Sequence, residues 1–277
     1  MLQYTLKKKV SISGVALHSG RKVTLFILPA GVDSGIKFVR TDIKGKPFVK
    51  ASIGNLSDTK RGTNLGLGKA KISTVEHVLS ALSGMGITNA RIEINGHEPP
   101  LLDGSAKPLV RAIKKAGIKK QGKKAKVIKV ERSFLIESRD ALIAVTPSDR
   151  FIATFVIDYP GTFVGSQTYT FDEAKDSYEK EVAPARTYGF MKEVKGLQKL
   201  GLIKGATLKN TIAITDKGYS SALRFDDELA RHKVLDLIGD LALTGKHVCA
   251  YVIGMQSGHG LNVQLAKKLI GLGGKRS

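Results

Sequence analysis

Two stretches of the 277-residue chain present the same order of elements at matching spacing, and this limits the possible folds more than any other feature. In the first half, Ser73 to Leu82 has the apolar spacing of a helix, Gly84 and Gly86 end it, Ala90 to Ile94 alternates like a strand, and Ala106 to Ala116 is again helical. In the second, Asp227 to Leu243 reads as a helix ended by Gly245, Val248 to Ile253 as a strand, and Gly260 to Ile270 as a helix. The interval from His77 to Gly104 nearly equals that from His232 to Gly258, and each glycine precedes the last helix of its half. Chance supplies order more easily than equal spacing, so the chain reads as a duplicated unit.

Strand-like runs precede each set: Val23 to Leu28 and Ile36 to Arg40, then Lys126 to Glu131, Ala141 to Thr146 and Ile152 to Ile157. Strands followed by helices, without strict alternation, point to an α+β fold. Large apolar residues nearly vanish from Lys114 to Lys126, a stretch of lysine and glycine that reads as a linker. The expected domains are therefore residues 1–122, with an insert at about 42–70, and 123–277, with an insert at about 190–222.

A hydrophobic fraction of 42% indicates a globular chain, and no apolar run reaches the roughly 18 residues of a membrane-spanning helix. The start of the chain lacks the apolar core of a signal peptide, so the reading is a soluble, unprocessed, cytoplasmic protein. The one cysteine, Cys249, lies in an apolar run and reads as a buried thiol, which leaves histidine and carboxylate to build any metal site. Forty-five Lys and Arg against 24 Asp and Glu give a charge of +21, which favours anionic partners: nucleic acid, an anionic membrane surface met transiently, or a phosphorylated small molecule. Aromatic residues are only 6% and no nucleic-acid-binding motif is present, so nucleic acid is not expected. Nothing calls for an obligate protein partner.

Chemistry concentrates in three segments. In RHKVLDLIGDLAL, His232, Asp236 and Asp240 recur every four residues and form one polar stripe on an otherwise apolar helix. A helix that apolar should be buried, and buried polar groups need partners. In STVEHVLSAL, Glu76 stands beside His77; Ser73 and Glu76 also fit a capping box, which would explain Glu76 without any chemistry. In QSGHGLN, His259 stands at the turn opening the last helix, where backbone N–H groups favour anions, although a histidine after glycine is commonly just a loop residue. Together, His77, His232 and Asp236 can hold zinc with a fourth position open, leaving Glu76 and His259 as candidate base and acid. His97 and His247 read as structural; His18 is open to either reading.

GVALHSG, DTKRGTNLG, STVEHVLSALSGMGI, PPLLDGSAKP, ARTYGFM, RFDDELARHKVLDLIGDLAL and SGHGLN, in this order, resemble the bacterial UDP-3-O-acyl-N-acetylglucosamine deacetylases over nearly the whole chain. The resemblance implies two similar layered domains packed face to face, one small insert in each, and one catalytic Zn2+ between them. It implies His77, His232 and Asp236 as ligands, Glu76 as base, His259 as acid and Asp240 orienting or charging that histidine. It further implies that Thr187 shares the oxyanion with the metal, and that Lys233 and Tyr188 contact an acylated UDP-sugar. Met191, Leu197 and Leu200 lie on a near-helical apolar stripe whose default reading is packing onto the body; in the family this insert forms a passage for the acyl chain. His97 and Gly161 stand where relatives commonly carry proline and histidine, respectively. A zinc amidase acting on another substrate, or a basic RNA-binding α+β protein with structural histidines, are the rival readings.

Overall fold

The structure, a computed structural model, describes residues 1–273, so the last four positions of region 123–277 lie outside the described residues. Strands β1 (Leu2–Leu6), β2 (Val10–Val15), β3 (Lys22–Pro29), β4 (Ile36–Arg40) and β5 (Phe48–Lys50) come first. A small antiparallel sheet of β6 (Leu56–Asp58), β7 (Asn64–Leu67) and β8 (Ala70–Ile72) follows. Then come α1 (Glu76–Gly84), β9 (Ala90–Ile94), α2 (Lys107–Ala116) and β10 (Ile118–Lys124). The second part has β11 (Val127–Lys129), β12 (Phe134–Ser138), β13 (Ala141–Thr146), β14 (Phe151–Tyr159) and β15 (Gly165–Asp172). After these, β16 (Tyr188–Phe190), α3 (Met191–Lys199), β17 (Ile212–Thr215) and β18 (Gly218–Tyr219) form a second small unit. Last are α4 (Glu228–Leu241), β19 (His247–Met255) and α5 (His259–Gly273).

Two five-strand paths carry this α+β architecture, β2-β3-β9-β4-β5 and β12-β13-β19-β14-β15. In each, the central strand runs parallel to the fourth of the path, and all other neighbours are antiparallel. The alternation that suggested β3 and β9 buries Val23, Leu25 and Ile27 with Ala90, Ile92 and Ile94, because successive side chains of a strand point to opposite faces. All of these but Val23 join Leu79, Leu82, Leu109 and Ile113 of the helices in a contiguous core that continues through Leu235, Ile143 and Val252 of the second half. Each fully buried aliphatic side chain of this kind contributes about 1.5–3 kcal/mol.

The helices α4 and α5 lie on the second sheet, α2 packs on α1 and β2, and the halves meet where α1 packs on α4. That contact depends on Gly239, where a Cβ atom would stand 2.2 Å from the carbonyl oxygen of Glu76. Only a glycine lets the two backbones approach so closely.

Several sequence expectations need correction. The lysine-rich stretch is not a linker, since it holds the last turn of α2 and then β10, which pairs antiparallel with β1. Ile118 and Gln121 are its only partly buried strand positions, and four lysines and Gly122 at the others mask the alternation. The first insert begins later than about residue 42, because Phe48–Lys50 pairs with β4 inside the main sheet. Helix α1 starts at Glu76 and not at Ser73, with Val75 as its cap residue and no side-chain cap bond, so the capping box is not formed. Thr74, immediately before, has φ +54°, a left-handed backbone that a β-branched residue seldom adopts. The apolar stripe of the second insert does not pack onto the body: α3 has no buried residue, and Met191 and Leu200 are exposed.

Candidate active site

Helical periodicity brings His232, Asp236 and Asp240 to one side of α4, and the close approach at Gly239 lays α1 beside them. His77, the second residue of α1, meets His232 edge to face with ring centroids 5.1 Å apart. One nitrogen from each histidine and one oxygen of Asp236 all lie within 4.8 Å of one another. His232 Nε2 is 3.4 Å and His77 Nε2 4.0 Å from Asp236 Oδ1. All three side chains are buried.

This donor set suits a divalent ion in tautomer and in charge. His232 Nδ1 is 3.0 Å from the carbonyl oxygen of Ala185, and donating there leaves Nε2 with a free lone pair. Burial holds the His77 imidazolium down to about 3 and also lowers that of His232, so both rings are neutral. Burial pushes the Asp236 carboxyl upward, but its positive neighbours, Lys233 and His259 among them, outweigh it and keep the group ionised.

Beside this triad lie a buried carboxyl and an imidazole of opposed proton affinity. Glu76 is buried, and its Oε2 accepts the backbone N–H of Thr63 at 2.8 Å in place of the expected bond to a helix cap. Burial raises its carboxyl to about 7, with His259 opposing part of that rise. His259 Nδ1 lies 2.9 Å from Asp240 Oδ2. Burial works against the imidazolium, yet Asp240, with help from Asp236 and Glu76, pushes it up to about 10. Asp240 is fully buried and also accepts from the Thr63 hydroxyl and from Asn262 Nδ2, at 2.9 Å.

Thr187 immediately precedes β16, which Tyr188 opens in the small sheet with β17 and β18, and Glu228 fixes the segment leading to it. The Glu228 carboxylate, fully buried, accepts from the Arg186 guanidinium at 2.8 and 2.9 Å and from its backbone N–H at 3.0 Å. Thr187 also donates its N–H to the carbonyl of Gly104 at 2.8 Å, which ties it to the turn of the DGSA segment. The resulting cleft is lined by Glu76, His77, Thr187, Tyr188, His232, Lys233, Asp236 and His259, together with Leu17, Arg61, Phe190 and Glu193. Lys233 Nζ is 3.4 Å from Asp236 Oδ2 and 5.9 Å from the centre of the Tyr188 ring.

The structure thus gathers nine of the twelve residues singled out in the sequence. Asp240 reaches the site behind His259, whereas Met191, Leu197 and Leu200 do not line the cleft. Sequence reasoning missed Thr63, Asn262 and Ala185. Asn262 follows His259 by three residues on the same helix and was legible by spacing; Thr63 and Ala185 arrive from distant segments and were not. His247 pairs with Glu173 at 3.2 Å and the His97 carbonyl accepts the Ser73 N–H at 2.7 Å, both structural roles. Gly161 has φ +73° in the turn after β14.

A family model described as UDP-3-O-acyl N-acetylglycosamine deacetylase matches residues 3–271. Curated proteins named UDP-3-O-acyl-N-acetylglucosamine deacetylase are similar along the chain. That of Anaeromyxobacter sp. (strain Fw109-5) is 43% identical over 97% of this chain and 88% of its own length. That of Syntrophus aciditrophicus is 41% identical over 97% and 86%, and that of Trichormus variabilis is 40% identical over 98% and 99%.

Proposed function

Because the chain belongs to the family of UDP-3-O-acyl N-acetylglycosamine deacetylases, we propose that it holds one zinc ion through His77, His232 and Asp236, with Glu76 as base and His259 as acid. The protein is a deacetylase that hydrolyses the N-acetyl group of UDP-3-O-acyl-N-acetylglucosamine to the free amine and acetate, a step of lipid A biosynthesis. The observation that carries the assignment of residues is the convergence of α1 and α4: an open three-donor cluster beside a raised carboxyl and a carboxylate-backed imidazolium.

The ion would supply Lewis acidity, polarising the acetyl carbonyl and making water nucleophilic near neutral pH. Glu76 takes the proton from the attacking water, a task its burial suits because it raises the carboxyl's proton affinity. Thr187 donates its hydroxyl to the oxyanion, where one lost donor typically costs about 3 kcal/mol. His259 delivers a proton to the departing nitrogen, and Asp240 keeps it charged for that purpose. Lys233 and Tyr188 contact the sugar nucleotide from the cleft wall.

The apolar residues Met191 and Leu197 of α3 and Leu200 just after it, exposed except for the partly buried Leu197, stand ready to meet the acyl chain as it leaves the cleft past Phe190. No described helix is long and apolar enough to cross a membrane. The working location is the cytoplasm, and the +21 charge suits a substrate bearing a diphosphate, with transient contact at anionic membrane surfaces.

Acetate release from the acylated sugar nucleotide, measured with metal content, tests the assignment. One ion per chain and turnover are expected, with His259→Ala keeping the ion while losing about two or more orders of magnitude in kcat. A fully active His259→Ala enzyme would remove it as the acid.

A further inference from the structure

One further buried carboxylate lies apart from the groups described above. Glu98, in the loop after β9, is 1% exposed and makes no ion pair among the described residues. A charge so buried persists only where hydrogen bonds replace its water. Its Oε1 accepts the backbone N–H of His18 at 2.9 Å and its Oε2 that of Ser19 at 3.0 Å; the Thr74 hydroxyl approaches Oε1 at 3.4 Å. One carboxylate therefore grips the loop between β2 and β3 from below.

Both inserts rest on that loop. The His18 ring lies 3.3 Å from the carbonyl of Arg61, in the first insert, and its Nδ1 accepts the N–H of Ile203, in the second, at 3.4 Å. These two contacts fit a single neutral tautomer with its hydrogen on Nε2. Gly205 donates its N–H to the carbonyl of Leu17 at 2.9 Å, and a Cβ there would stand 2.1 Å from the carbonyl oxygen of Ala16. Above the loop, Arg61 and Glu193 close the circuit with an exposed ion pair of 2.9 Å, and both line the cleft.

We infer that Glu98 is a positioning residue which, through the Leu17–Ser19 loop, sets the separation of the two inserts and so the width of the cleft mouth, making it a determinant of which acyl chains are accepted. The exposed Arg61–Glu193 pair is too weak to fix that distance alone. The backbone-anchored loop beneath it does so.

This rests on the deacetylase reading for its kinetic consequence but not for its structural one, and the experiment separates them. Hydrogen exchange on the full chain should show faster exchange of the Ile203 and Gly205 amides in Glu98→Ala and, to a smaller extent, in the isosteric Glu98→Gln, with those of β9 unchanged. In the acetate-release assay, KM for a long-chain substrate should rise about tenfold and discrimination between chain lengths should fall, while kcat stays within about threefold and metal content at one per chain. Joining Cys residues placed at 61 and 193 with a short bismaleimide should restore KM in Glu98→Ala; the native Cys249 is buried and does not compete. Unchanged exchange at residues 203–205 overturns the inference whatever the activity. Faster exchange with unaltered KM and chain-length preference, loss of the ion, or failure of the bridge to restore KM overturns it as well. A wild-type protein inactive on every acylated sugar nucleotide overturns instead the deacetylase reading, and leaves the exchange result to decide the role of Glu98.

Discussion

At the scale of single residues, the proposed mechanism rests on opposed proton affinities. Glu76 must be ionised to accept a proton, so turnover rises with pH through its pKa, about 7 in the protein without its ion. His259 must retain its proton, so turnover falls above its own, about 10. A divalent cation beside both favours the deprotonated form of each, so a bell-shaped profile is expected with both limbs below these values. Asp240→Asn tests the origin of the upper limb. It removes the charge that faces His259 at 2.9 Å, and the alkaline limb should move down by about one unit or more, further than the acid limb, as kcat against pH will show. An unmoved alkaline limb would mean that another group sets it. His77→Ala and Asp236→Ala should instead lose the ion, read by elemental analysis; one ion per chain retained in both would dismiss the ligand set.

At the scale of elements, two contacts hold these residues in place, and both can be broken selectively. Gly239→Ala forces a methyl group against the Glu76 carbonyl, backbone on backbone, where neither side can yield cheaply. Overpacking of this kind costs about 1–3 kcal/mol and should lower the melting temperature by several degrees while weakening metal retention, since the same contact aligns His77 with His232. Glu228→Ala leaves the Arg186 guanidinium buried without its counter-charge, a loss of about 3–5 kcal/mol visible in denaturant unfolding. It also frees the segment whose Ala185 carbonyl orients His232, so activity should fall before global unfolding. These contacts explain what could be read in advance. His232, Asp236 and Asp240 follow from helical spacing alone, and the matching intervals around His77 correspond to two sheets of the same strand order. The role proposed for Glu76 did not follow, because a short-range motif offered a cap that the strained backbone at Thr74 does not permit. Strand β10 was hidden because its lysines face solvent on a narrow two-stranded sheet, where little apolar alternation is needed.

For the whole molecule, the excess of 45 basic over 24 acidic residues is too large to be absorbed by the ion pairs of the structure, many of which join exposed side chains worth little individually. Its collective effect is a positive field that extends about one Debye length, roughly 8–10 Å at physiological salt, and raises the local concentration of an anionic substrate. The diphosphate of the sugar nucleotide feels that field during approach, whereas the acetyl group reacts inside a buried cluster that salt screens far less. Raising ionic strength should therefore increase KM and leave kcat nearly unchanged. The comparison that isolates the field is kcat/KM for the nucleotide substrate against that for an acylated sugar lacking the diphosphate, over a series of salt concentrations. A steep decline for the first and a flat line for the second are expected. Parallel declines would show that salt acts on the protein or on the acyl contacts, and that the surface charge plays no part in capturing the substrate.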